Sequence, residues 1–143
     1  MKLHTGCALL LVLVLALALA SGGGSRSSGE GVPEESTMGR FAIVAYTPKP
    51  GKEQQLLVAV RKHLMVLRAE QLVTAKPAHV MRARDGSIVE VFEWRSAKAV
   101  QDAHSNPTVQ ALWAEFGAAC DYTPISKLAE AQEMFAEFEA VEL

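Results

Sequence analysis

The sequence predicts an α+β domain whose elements follow the order β-α-β-β-α-β. Three observations carry this reading: a short β-rich run closed by a Pro-Gly turn, an Asp-Gly pair between two strand-like runs, and two polar helix starts behind the second of these.

The first strand is FAIVAYT, residues 41–47, ended by Pro48 and by Pro50-Gly51. From Lys52 to about Glu70, Leu57, Val60, Leu64 and Leu67 recur at the spacing of one helix face. Arg61, Lys62 and Arg68 fall largely off that stripe, so the helix is amphipathic and needs a sheet to lie on. AHVMRAR and SIVEVFEW follow, joined through Asp85-Gly86, which tolerates the positive φ of a tight turn; residues 78–94 are therefore a hairpin. Along its second strand Ile88, Glu90, Phe92 and Trp94 share one face, and Val89, Val91 and Glu93 share the other. Apolar residues on both faces imply a strand covered on both sides.

Ser96 is an expected N-cap for a short helix through about His104. Asn106-Pro107 forms a second cap, because Pro lacks the N–H that a first helical turn leaves unused. Val109, Leu112, Trp113, Phe116 and Cys120 mark the buried face of the helix that follows, and MFAEFEAV, residues 134–141, is expected as the last strand, with a helical tail as the alternative because Ala and Glu are not strand formers. This is the ferredoxin-like arrangement: a four-stranded antiparallel sheet with its helices on one side. The far side of the sheet then needs a cover, and in so small a chain a second copy supplies it, so a homodimer is expected.

With 143 residues, half of them apolar, the chain suits one domain plus an extension. The net charge of −2 and the lack of a basic block give no footprint for nucleic acid. Residues 1–20 read as a signal peptide: Lys2, an apolar run over residues 8–20, and small residues before Ser21. The run is shorter than the roughly 20 apolar residues of a membrane span, so no span is expected in the mature chain. Residues 21–37 are a Gly/Ser-rich, acidic linker of disordered composition, and residues 38–143 are the domain. Cleavage implies a secreted or periplasmic protein, whereas translation from Met38 implies a cytoplasmic one. Cleavage also removes Cys7 and leaves Cys120 without a disulfide partner in the chain.

AIVAYTPKPGKEQQLL and VEVFEWRSAKAVQDAHSNPTVQAL together resemble the antibiotic-biosynthesis monooxygenase family, over about residues 40–119. The resemblance implies a dimeric α+β barrel. It also implies a cofactor-independent oxygenase on a small aromatic, quinol or anthrone-like substrate, in which the deprotonated substrate itself donates an electron to O2. The haem-degrading branch of that family carries an Asn in the first strand, a Trp in the helix after the second hairpin strand, and a ligating His beyond it. Val44, Ala103 and Trp113 stand at those places, so haem is not implied.

His104 is the candidate general base, since an imidazole titrates near neutrality. Tyr46, His79, Glu90, Trp94 and Trp113 are candidate contacts for a small apolar or aromatic ligand. Arg82 and Arg84 read as solvated or interface residues, either of which would suit an enolate. CxxC, HExxH, GxGxxG and GxSxG motifs are all missing, and four scattered histidines make no metal site by spacing, so no cofactor and no metal are expected. The competing reading is a non-catalytic domain of the same fold that binds a small ligand or only assembles.

Overall fold

Arg40–Pro48 forms the first strand (β1) in a computed structural model that describes residues 38–143; the signal-peptide and linker readings lie outside the described residues. The chain continues as α1 (Glu53–Ala69), β2 (His79–Arg82), β3 (Ile88–Trp94), α2 (Ala97–Ser105), α3 (Pro107–Ala119) and β4 (Cys120–Thr123). Two 3-10 turns, Ile125–Lys127 and Glu130–Gln132, then lead to a two-residue β5, Glu139–Ala140. The five strands make one antiparallel sheet in the order β4-β1-β3-β2-β5.

Local chemistry explains the joints. Gly51 (φ 72°) and Gly86 (φ 87°) take the left-handed backbone that their turns require. The hairpin loop is Arg84-Asp85-Gly86, closed by Ala83 N–H donating to the Ser87 carbonyl at 2.8 Å. Asp85 Oδ1 accepts from the Ser87 N–H at 2.8 Å, so only the glycine needs positive φ. Ser96 Oγ accepts from the Ala99 N–H at 3.1 Å and starts α2. Asn106 Oδ1 accepts from the N–H groups of Thr108 and Val109, at 2.9 and 3.1 Å, and starts α3 with Pro107 in its first turn. Both caps fall where the sequence places them.

Cross-strand partners point to the same side of a sheet. The pairs Val44↔Glu90, Ala42↔Phe92 and Tyr46↔Ile88 therefore share one face. On that face the helices build the main core, which includes Leu56, Val60, Leu67, Val109, Leu112 and Phe116. The buried stripe of α1 is Leu56, Ala59, Val60, His63 and Leu67, with Leu57 and Leu64 only half-buried. The helix is thus turned slightly from the expected stripe, and it buries a histidine that a hydrophobicity count leaves on the polar side.

Two expectations are corrected at the C-terminal end. The strand after α3 is Cys120–Thr123, which leaves the helix with no loop and fills the edge beside β1. Of residues 134–141 only Glu139–Ala140 pairs, and it does so on the opposite edge, against β2. MFAEF is weak in β-formers, and the position beside β1 is already occupied. The far face of the sheet is also partly covered by the chain itself. Leu128 packs on Ala45, Ala83 and Val89, flanked by Ile125, Ala131 and Phe138. Beyond that cover Phe41 and Ile43 stay 63% and 59% exposed.

Candidate functional site

Between the helix-side face of the sheet and the three helices lies a cavity of about 220 Å³. Alternation along the strands delivers its floor: Ala42, Val44 and Tyr46 from β1, and Phe92 and Trp94 from β3. α1 contributes His63, α2 His104, α3 Trp113 and β4 Tyr122. The wall is almost entirely apolar and aromatic, and Phe92 meets Trp94 edge-on with ring centroids 5.1 Å apart.

One polar cluster is built into this wall. Glu90 is 1% exposed, and its Oε2 accepts from Tyr46 Oη–H at 2.9 Å. The same oxygen meets His63 Nδ1 at 2.8 Å. Aromatic rings fix the imidazole: Phe92 and Phe116 each lie 5.2 Å from it, both edge-on. His63 Nε2 is buried and has no hydrogen-bond partner among the described residues. A carboxylate only accepts, so His63 meets Glu90 with Nδ1–H. In a neutral imidazole this leaves the lone pair on Nε2. Tyr46 cannot compete as a base, because burial and then the charge and hydrogen bond of Glu90 hold its phenol protonated far above the ordinary range.

Comparison with protein-family models, curated proteins and solved structures finds no match for this chain. What the site can do therefore rests on its geometry. The arrangement is an imidazole held by a carboxylate, which is in turn held by a second donor, beside an apolar cavity that His104 and Tyr122 also line.

The candidates from the sequence distribute unevenly over this site. Tyr46, Trp94 and Trp113 line the cavity, and Glu90 stands directly behind it. The partners of Glu90 are Tyr46 and His63, where a Lys or Arg is the commoner companion of a buried carboxylate. His104 also lines the cavity, but it is exposed and its ring rests 5.0 Å from that of Trp113. No carboxylate orients the His104 ring among the described residues. His79 is outside the site: it pairs with Val91, which pairs with Ile43, so it stands on the far face and is exposed. Arg84 is committed to Glu130 and Glu133.

His63 is the residue that sequence reasoning missed. Its signal is positional: Leu56, Ala59, His63 and Leu67 follow one face of α1 at steps of three and four. Among the described residues no group of three or more His, Cys, Asp or Glu side chains is arranged to hold a metal ion. No helix there is long and apolar enough to cross a membrane.

Proposed function

We propose that this domain is a cofactor-independent monooxygenase-like enzyme for a small aromatic or quinol-type substrate, with His63 as its general base. The observation that carries the proposal is a buried imidazole, held by Glu90, on a residue that lines the apolar cavity and whose Nε2 has no hydrogen-bond partner among the described residues. In this reading the substrate O–H gives its proton to Nε2. The phenolate that remains is electron-rich enough to donate an electron to O2. The protein then supplies enclosure, orientation and the base. His104, the base expected from the sequence, takes a place at the rim beside Trp113.

The strand order β4-β1-β3-β2 supports the ferredoxin-like reading, and with it the family resemblance. Phe41 and Ile43, exposed on the far face, support a barrel assembled from two copies. Ile43→Asp would then shift the sedimenting species from dimer to monomer.

O2 uptake with hydroquinones, naphthohydroquinones and anthrones tests the activity. His63→Gln keeps an N–H for Glu90 but has no basic nitrogen, and is expected to lower kcat by at least tenfold. His104→Ala should lower it less than threefold. Full activity in His63→Gln would remove His63 as the base. If no quinol is consumed but aromatic ligands raise the melting temperature, the non-catalytic binding reading stands instead, because the same apolar wall serves it.

A further inference from the structure

Glu90 borders a second space that the ligand cavity does not include. Both of its side-chain hydrogen bonds, from Tyr46 and from His63, land on Oε2, and among the described residues no side chain bonds Oε1. Glu90 also lines a second cleft, of about 330 Å³, with Val60, Leu64, Ala78 and Val80. Arg61 and Arg68 of α1 stand in the wall of this cleft; both are exposed, so it opens to solvent. The two spaces share no lining residue. His63 and Tyr46 line the first and Glu90 the second, and they meet at Glu90 Oε2, His63 Nδ1 at 2.8 Å and Tyr46 Oη at 2.9 Å.

We propose that His63 and Glu90 form a proton route through the protein, joining the ligand cavity to the cleft beside α1. The inference rests on the reading of His63 as a base. The ligand O–H bond breaks, its electron pair stays on the ligand oxygen, and an Nε2–H bond forms. The Nδ1–H proton passes to Oε2, giving a neutral imidazole and a carboxylic acid. The acid releases its proton to water in the cleft, and Glu90 is again a carboxylate. The return stroke uses the same bonds in reverse: a proton from the cleft reaches Glu90, then Nδ1, and Nε2–H is delivered to the departing product anion. No oxidant or metal enters either stroke. The consequence is functional: a ligand can fill the apolar cavity and exclude water while proton exchange continues from behind. Tyr46, the other group on Glu90, only donates to Oε2 and supplies the fixed end of the relay.

Solvent exchange of the His63 Nδ1–H, followed by NMR in protein labelled with 15N-histidine, tests the route without any turnover. Ala78→Phe fills the cleft and Ala42→Phe fills the ligand cavity, with Ala78→Met and Ala42→Met as milder versions that keep the fold. The cleft-filling variants are expected to slow exchange at least tenfold, and the cavity-filling variants less than threefold. The opposite pattern overturns the proposal, as does equal slowing by both or by neither. A negative result with quinols would sink the oxygenase reading and leave this measurement unaffected; the reverse also holds.

Discussion

Tyr46→Phe isolates the energetic centre of the site. The substitution removes one oxygen and keeps the ring, so the packing of Tyr46 on Phe116, 4.9 Å between centroids, and on Tyr122, 5.5 Å, is preserved. What is lost is the 2.9 Å donor to a carboxylate that is 1% exposed. A hydrogen bond to a charged group contributes about 1.5–3 kcal/mol. For a domain of roughly 100 residues each kcal/mol moves the melting temperature by about 4–8 °C, so the variant should melt about 6–24 °C lower at pH 7. Tyr122→Phe is the control. Tyr122 is 56% exposed and makes no side-chain hydrogen bond among the described residues, so the change should stay within about 0.5 kcal/mol. A Tyr46→Phe protein melting within about 2 °C of the parent would refute the reading of Glu90 as a buried charge held by two donors.

The alkaline arm has a sign of its own. Burial first, then the charge and hydrogen bond of Glu90, raise the Tyr46 phenol far above its ordinary 10.0. The unfolded chain releases this proton near pH 10 while the folded chain keeps it. Above pH 10 the folded state therefore holds more protons, and stability falls as pH rises. One such proton gives a slope approaching about 1.4 kcal/mol per pH unit. Phe carries no proton, so the stability gap between parent and variant should close by roughly 1 kcal/mol per unit above about pH 10.5. Urea melts at stepped alkaline pH measure it. Parallel loss in the two proteins would mean that the phenol ionises within the fold, against the geometry.

The remaining predictions concern other buried groups. Burial pushes the Cys120 thiol up to about 11, so alkylation by iodoacetamide at pH 7.5 should be far slower in the folded chain than in urea. Equal rates in the two states would place that thiol outside the core. The Arg84 backbone N–H, donating to Glu130 Oε1 at 2.7 Å, is the main cause that lowers the Glu130 carboxyl, ahead of its bond to the Arg84 side chain. A lowered carboxyl stabilises the folded state above the unfolded value near 4.5, and that stability is lost as pH falls through the folded value. Limited pepsin digestion between pH 5 and pH 2 should therefore release the segment around Leu128 before the rest of the domain, and Glu130→Gln should release it already at pH 5. Asn106→Ala removes both capping bonds of α3 and the 2.7 Å bond to Glu70, and should cost about 1–2 kcal/mol in chemical denaturation.

Much of the frame was legible because it rests on local rules. Ser96 and Asn106 cap the helices they precede, Gly86 turns the hairpin, and the alternation along residues 88–94 places Glu90 on the face of Ile88, Phe92 and Trp94. What escaped the sequence depends on distant pairing. His63 is buried because its ring nitrogen meets Glu90, 27 residues away, and no spacing rule joins a helix position to a strand position at that range. His79 needed the register of β2 on β3 before its facing was defined, and one residue of slip would reverse it. The last strand of the main sheet was hidden by Cys120, whose apolar character continues the helix stripe and equally suits a buried strand start.

The strand–helix junction after Trp94 carries the Ser96 and Asn106 caps. That junction fixes where α2 and α3 enter, and so sets His104 and Trp113 on the cavity. It does not hold the polar cluster, which is built where α1 crosses the sheet opposite Glu90. A carboxylate taken wholly out of water costs several kcal/mol unless donors meet it. Two donors meet this one, and both come from rings, which are large and rigid. A cluster serving stability alone could be replaced by apolar residues of similar size with little loss. The unpartnered Nε2 of His63 is the feature that such a replacement would remove without structural compensation, and on the proposed reading it ties the buried cluster to chemistry in the cavity.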